Sequence, residues 1–304
     1  MTQTATRKQS TGKPLEAWHQ PWLALGLLVL GVGAAIVALL GPLIAEIIAY
    51  HASDGAVNQI VGGDVAGLIL VAPLSILAGV LVWRRHPAGA VLGMAPAAYA
   101  LYMYSQLALG GDVLRYPGNS DRFFPLFVGL FILAGSILIS AWHAVAGHEL
   151  PATPKWVDRS IAAFLLIVAF FLTVGLHLPG LADAWAEQPT STEYVADPVI
   201  FWLVKFMDLA IVVPALVLTG IGILRDRVWV RTAKYAVVGW AALLGASVAG
   251  MAIVMEASGD QAASTANTIA FSLFALIAVG LAAVLYGSLF AGWAAKLDQT
   301  TKKG

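Results

Sequence analysis

Residues 201–214 read FWLVKFMDLAIVVP, which sets Lys205 and Asp208 three positions apart in an otherwise apolar run. At that spacing an ammonium and a carboxylate share one helix face and come within reach of each other. Two chemistries fit. The aspartate can carry a proton or hold a cation on a membrane-embedded path, with Lys205 tuning it. Alternatively, a snorkelling lysine and a structural aspartate simply neutralise one another. Counted from Pro198 at about 1.5 Å per residue, Lys205 lies about 10 Å and Asp208 about 15 Å along the helix. Asp208, the deeper of the two, is the stronger functional candidate.

A second group is made of Glu46, Asp64, Asp183 and His177, which the sequence places near the outer ends of the first, second and fifth apolar runs. Carboxylates with a histidine at one depth can concentrate or bind a cation, or form an ordinary solvated rim. No His-x-x-x-His or Glu-x-x-His motif accompanies them, so no metal site is read. In YALYMYSQ, Tyr99, Tyr102 and Gln106 follow one another at i, i+3 and i+7. They can line a polar cavity and contact a ligand, or satisfy one another in an aromatic belt. A haem needs two histidines at one depth on facing helices. His143 and His177 lie near opposite ends of their runs and His19, His51, His86 and His148 lie in or beside connectors. No cofactor is expected.

These side chains must be positioned by membrane helices. Of 304 residues, 60% are hydrophobic and 11% charged, against roughly 25% charged in soluble domains. Eight apolar runs, near 22–49, 64–83, 88–109, 123–146, 160–182, 198–224, 233–255 and 268–293, approach or exceed span length, which is about 20 residues. They do not alternate in polarity, so the expectation is an all-α, polytopic bundle in the lipid bilayer. The first run is too long for a signal peptide and lacks a small-residue cleavage site.

Basic residues mark one side: Arg7, Lys8, Lys13, Arg84, Arg85, Lys155, Arg159, Arg225, Arg227, Arg231, Lys234, Lys296, Lys302 and Lys303. The other side carries only Arg115 and Arg122 and is rich in Asp and Glu. Lys and Arg favour cytoplasmic connectors, so a multi-pass protein of the cell membrane with both termini cytoplasmic is expected. The same charge separation argues against nucleic acid as a partner. The chain has no cysteine, which removes disulfides and thiol-based redox chemistry. It has no GxxxxGK[ST] loop for nucleotide-driven work.

Two stretches recur in order. PLIAE at 42–46 is answered by PGLAD at 179–183, and APLSILAGVLVWRR at 72–85 by VPALVLTGIGILRD at 213–226. Pro73 precedes Arg84, and Pro214 precedes Arg225, by the same eleven residues. Four spans preserve orientation, so parallel 4+4 repeats are expected. The divisions are a tail at 1–21, repeats at 22–150 and 151–293, and a tail at 294–304. KFMDLAIVVPALVLTGIGILR, with GDVAGLILVAPL and YALYMY in the first half, resembles a widespread, functionally uncharacterised family of eight-span bacterial integral membrane proteins. The resemblance runs from about residue 22 to 293 and implies fold and location without a reaction.

Three functional classes follow. A transporter or channel for a small solute or ion would use a polar site between the two repeats, with Asp208, Lys205 and Asp64 in it. A non-transport accessory, sensor or assembly component suits the scarcity of polar groups in the spans. A membrane enzyme acting on a lipid or isoprenoid would need an acid/base pair, and only the two groups above offer one.

Overall fold

Prolines shape the spanning helices. A proline inside a helix removes one N–H and crowds the carbonyl four residues back. At Pro73, Pro179 and Pro214 the chain answers by widening one turn into a π-helix just before the ring, at Gly67–Val71, Phe171–His177 and Asp208–Val212. In each the amide preceding the proline bonds five residues back: Ala72 to Gly67, Leu178 to Thr173 and Val213 to Asp208. Asp208 thus opens one π turn and His177 closes another, and such turns favour functional sites.

The computed structural model describes residues 20–146 and 148–301, with side chains through 292. Arg7, Lys8, Lys13 and His19, the Lys296 side chain, and Lys302 and Lys303 lie outside the described residues. The long helices among those described are α1 (Pro21–Leu40), α2 (Asp54–Trp83), α3 (Ala88–Leu109), α4 (Ser120–Val145), α5 (Lys155–Ala184), α6 (Pro198–Leu224), α7 (Val230–Ala257) and α8 (Thr265–Thr301). All except α3 are long and apolar enough to cross a membrane. Helix α3 has the length, at 22 residues, but Tyr99, Tyr102, Tyr104, Ser105 and Gln106 dilute its hydropathy.

Helix ends differ from the sequence reading in the first half. Helix α1 stops at Leu40 rather than 49, because Gly41 and Pro42 break it, and residues 41–53 form an irregular loop. Helix α2 starts ten residues earlier than 64, at Asp54, where the Ser53 side chain accepts a hydrogen bond from the Ala56 amide.

The packing order repeats. Helix α1 packs on the C-terminal half of α2, that half on α3, α3 on α4, and α4 back on α1; α5, α6, α7 and α8 contact one another in the same order. Local details recur at a fixed separation of 141 residues (214 less 73). A Cβ at Gly79 would stand 3.0 Å from the Ala24 carbonyl oxygen and from Leu28. At Gly220 it would stand 3.3 Å from the Ala162 carbonyl oxygen and 3.0 Å from Leu166. Arg85 and Asp226, also 141 apart, take φ of 58° and 50°. Each belongs to the same two-bond helix stop, Arg85 N–H to Val82 and His86 N–H to Leu81, Asp226 N–H to Ile223 and Arg227 N–H to Gly222.

Between the two sets of four, α7 lies against α3 and against the N-terminal half of α2, while the N-terminal half of α6 touches α3. Asp197 accepts hydrogen bonds from the Ser53 amide and hydroxyl, tying the start of α6 to the start of α2.

Candidate functional site

Helices α5 and α6 are an antiparallel hairpin, so groups at similar distances from their connector meet. His177 Nε2 lies 2.8 Å from Asp208 Oδ2, and the Tyr102 hydroxyl of α3 donates to Asp208 Oδ1 at 2.6 Å. Both carboxylate oxygens are thereby used. Gln106, one turn along α3, is a hydrogen-bond partner of Tyr102. The His177 side chain is 1% exposed, and its Nδ1 has no hydrogen-bond partner. With the carboxylate ionised, Nε2–H donates to it and Nδ1 is left as the free basic nitrogen.

Tyr102 and Asp208 stand at the wall of a cavity of about 130 Å³, and His177 joins them through Asp208. Apart from Tyr102, that cavity is enclosed by α5, α6, α7 and α8, so it lies within the second set of four helices and not between the sets. Phe164, Phe171, Phe271, Phe274 and Trp240 make its lining largely aromatic. The buried Trp240 indole N–H has no hydrogen-bond partner. An apolar cavity near 150 Å³ admits a benzene-sized molecule, so the space suits a small solute with an apolar body and one polar group.

Lys205 does not pair with Asp208. Its ammonium lies over the Phe201 ring, 4.2 Å from the centroid, and 4.0 Å from Glu193. The expected mutual neutralisation is corrected here: Glu193 rides on a short helix, Thr192–Ala196, which folds back from the connector. The outer quartet also separates. Glu46 is exposed, with φ of 54°. Asp183 accepts hydrogen bonds from Thr190 and Ser191 and so closes its own loop. His177 has gone to Asp208.

Asp64 is held elsewhere again. It is 7% exposed, and with Tyr99 and Tyr104 it lines a cavity of about 30 Å³ enclosed by α1, α2 and α3. Tyr99 donates to Ser247 of α7 at 3.0 Å. The three α3 candidates are therefore divided: Tyr99 lines the smaller cavity, Tyr102 the larger, and Gln106 neither. The linings correspond: Gly67, Val71, Tyr99, Ala100, Met103, Tyr104 and Leu107 around the smaller match Asp208, Val212, Trp240, Ala241, Leu244, Gly245 and Val248 around the larger, each 141 residues on. In that register the partner of Asp208 is Gly67, and the partner of Asp64 is Lys205.

No group of three or more His, Cys, Asp or Glu suited to a metal occurs among the described residues. On the sequence-predicted outer side, His51 Nε2 lies 3.0 Å from Asp121, and its Nδ1 2.8 Å from the Tyr116 carbonyl oxygen. The Asp121 hydrogen bond first, and the Tyr116 carbonyl second, raise the His51 pKa above its usual value. Near the other ends of the helices, buried Lys234 of α7 pairs with Asp158 of α5 at 2.8 Å. Lys234 is thus a packing element as well as a basic residue on the sequence-predicted cytoplasmic side. No protein-family model, curated protein or solved structure matches this chain.

Proposed function

We propose that this chain is a transporter of the bacterial inner membrane that moves a small solute with proton transfer at Asp208 and His177. The observation that carries the reading is the Tyr102–Asp208–His177 chain, which joins α3 to the α5–α6 hairpin and meets the aromatic cavity at Tyr102 and Asp208. Ionisable groups inside a bilayer are expensive and mark ion and substrate pathways. A carboxylate joined to an imidazole whose second nitrogen is free can accept a proton at Nδ1 and release one from Nε2, which a structural ion pair has no need to do.

The architecture of the proposal is eight crossings in two parallel four-helix repeats, with α3 as the central crossing and both termini cytoplasmic. Its support is the recurrent packing order, the paired π turns and the paired helix stops at one separation. Parallel repeats of this kind occur among transporters.

The test is proton flux into proteoliposomes under an imposed pH gradient. Wild-type protein is expected to dissipate the gradient, and Asp208→Asn and His177→Gln, checked for folding, to slow it by about tenfold or more. Equal flux in wild type and both variants would end the proposal.

A further inference from the structure

The first four helices contain a buried carboxyl group with no balancing cation among the described residues. Among them Asp64 makes no ion pair, and its Oδ2 has no hydrogen-bond partner although the side chain is nine-tenths buried and lines the cavity of about 30 Å³. Buried polar atoms are satisfied in folded proteins, so an orphaned carboxyl oxygen at a cavity wall calls for an occupant.

The backbone adds to the negative field. A Cβ at Gly41, just past the end of α1, would stand 2.6 Å from Asp64 Oδ2 and 3.2 Å from the Val37 carbonyl oxygen. The carboxylate therefore approaches the C-terminal end of α1, where helix carbonyls carry partial negative charge. Ionising the carboxyl at that point calls for a cation to offset its burial. In the second four helices the matching position is Lys205, whose ammonium lies close to Gly180 of α5, so that half carries its positive charge covalently.

We infer that Asp64 is the anchor of a binding site for one alkali-metal ion of sodium size, distinct from the solute cavity. The ligand chemistry is all oxygen, with the Asp64 carboxylate as its anchor and the Val37 carbonyl, whose other lone pair accepts the Gly41 amide, near it. Hard oxygen donors suit alkali and alkaline-earth ions. A single carboxylate balances a single positive charge and selects the monovalent one. The cavity of about 30 Å³ matches the volume share of one water molecule. Gly41 keeps the approach open, because a methyl group there would occupy the space beside Oδ2.

The site stands whether or not Asp208 transports protons, and the experiment keeps the two apart. Purified full-length protein in detergent is unfolded by heat while NaCl replaces choline chloride at constant chloride and pH. A ligand that binds only the folded state raises the midpoint saturably. Wild type and Asp208→Asn are expected to show that rise and Asp64→Asn to lose it. Direct binding of radioactive sodium to wild type, expected at one ion per chain, holds even where a variant fails to fold. Absence of saturable sodium binding to wild type, or an unchanged sodium response in folded Asp64→Asn, overturns the inference.

Discussion

The two cavities share a frame and differ in what fills it. Each lies between a proline-widened π turn and the helix that follows, with linings in register. In the first half the N-terminal part of α2 presses on α7 so closely that a Cβ at Gly62 would stand 2.3 Å from the Met251 amide nitrogen. In the second half the matching position is Leu203, on the part of α6 that faces α3. Close backbone contact accompanies the smaller cavity, while the larger one admits Phe271 and Phe274 of α8 to its wall. One scaffold can hold an ion-sized space and a solute-sized space because glycine or leucine at one position sets how near two helices come.

The largest effect that would sharpen this contrast is expected from removing each aspartate. Asp208→Ala leaves Tyr102 and His177 facing an absent partner, and breaking a buried pair costs about 3–5 kcal/mol. Asp64→Ala orphans no hydrogen bond and should destabilise far less at low sodium. Denaturant unfolding of the two variants checks the order, and equal losses would break the contrast.

Next in size is helix spacing. Gly62→Val forces α2 and α7 apart, at the cost of about 1–3 kcal/mol that overpacking brings, whereas Leu203→Val should stay nearer to neutral. Thermal midpoints of both decide it. A smaller stability effect, with a large functional one, is expected from Ala241→Leu. The added side chain has room in the larger cavity, so the fold should hold while solute-coupled flux falls. Ala100→Leu, its counterpart at the smaller cavity, should instead lower the midpoint.

The smallest effect belongs to His51, in the 41–53 loop of the first half only. Its folded pKa lies above the unfolded value of about 6.5, raised first by the Asp121 hydrogen bond. Its stabilising contribution is therefore fully present below that unfolded value and is lost as pH rises through the folded one. A midpoint that declines slightly above about pH 6.5 in wild type, and does so less in Asp121→Asn, is the expected result.

Much of the frame was legible in the sequence. Long apolar runs gave the helices, and the equal spacing from Pro73 to Arg84 and from Pro214 to Arg225 marked the register in which both π turns and both helix stops recur. The site was half legible. Asp208 and Tyr102 stood out as polar groups in spans, but helix rotation, which decides that Asp208 faces His177 instead of Lys205, leaves little trace in spacing. A depth count would have helped: His177 stands seven residues before Ala184 and Asp208 ten after Pro198, on the two arms of one hairpin. Counting back from the prolines would likewise have set Asp64 beside Lys205, since both stand nine residues ahead. The reach of Glu193 to Lys205 depends on a connector helix of five residues, too short to read from periodicity.

The most direct test of proton transfer at Asp208 is the charge displacement evoked by a pH jump across supported membranes carrying wild type, Asp208→Asn or Asp64→Asn. Currents from wild type and Asp64→Asn, with none from folded Asp208→Asn, are the expected result. An undiminished current from Asp208→Asn would contradict it.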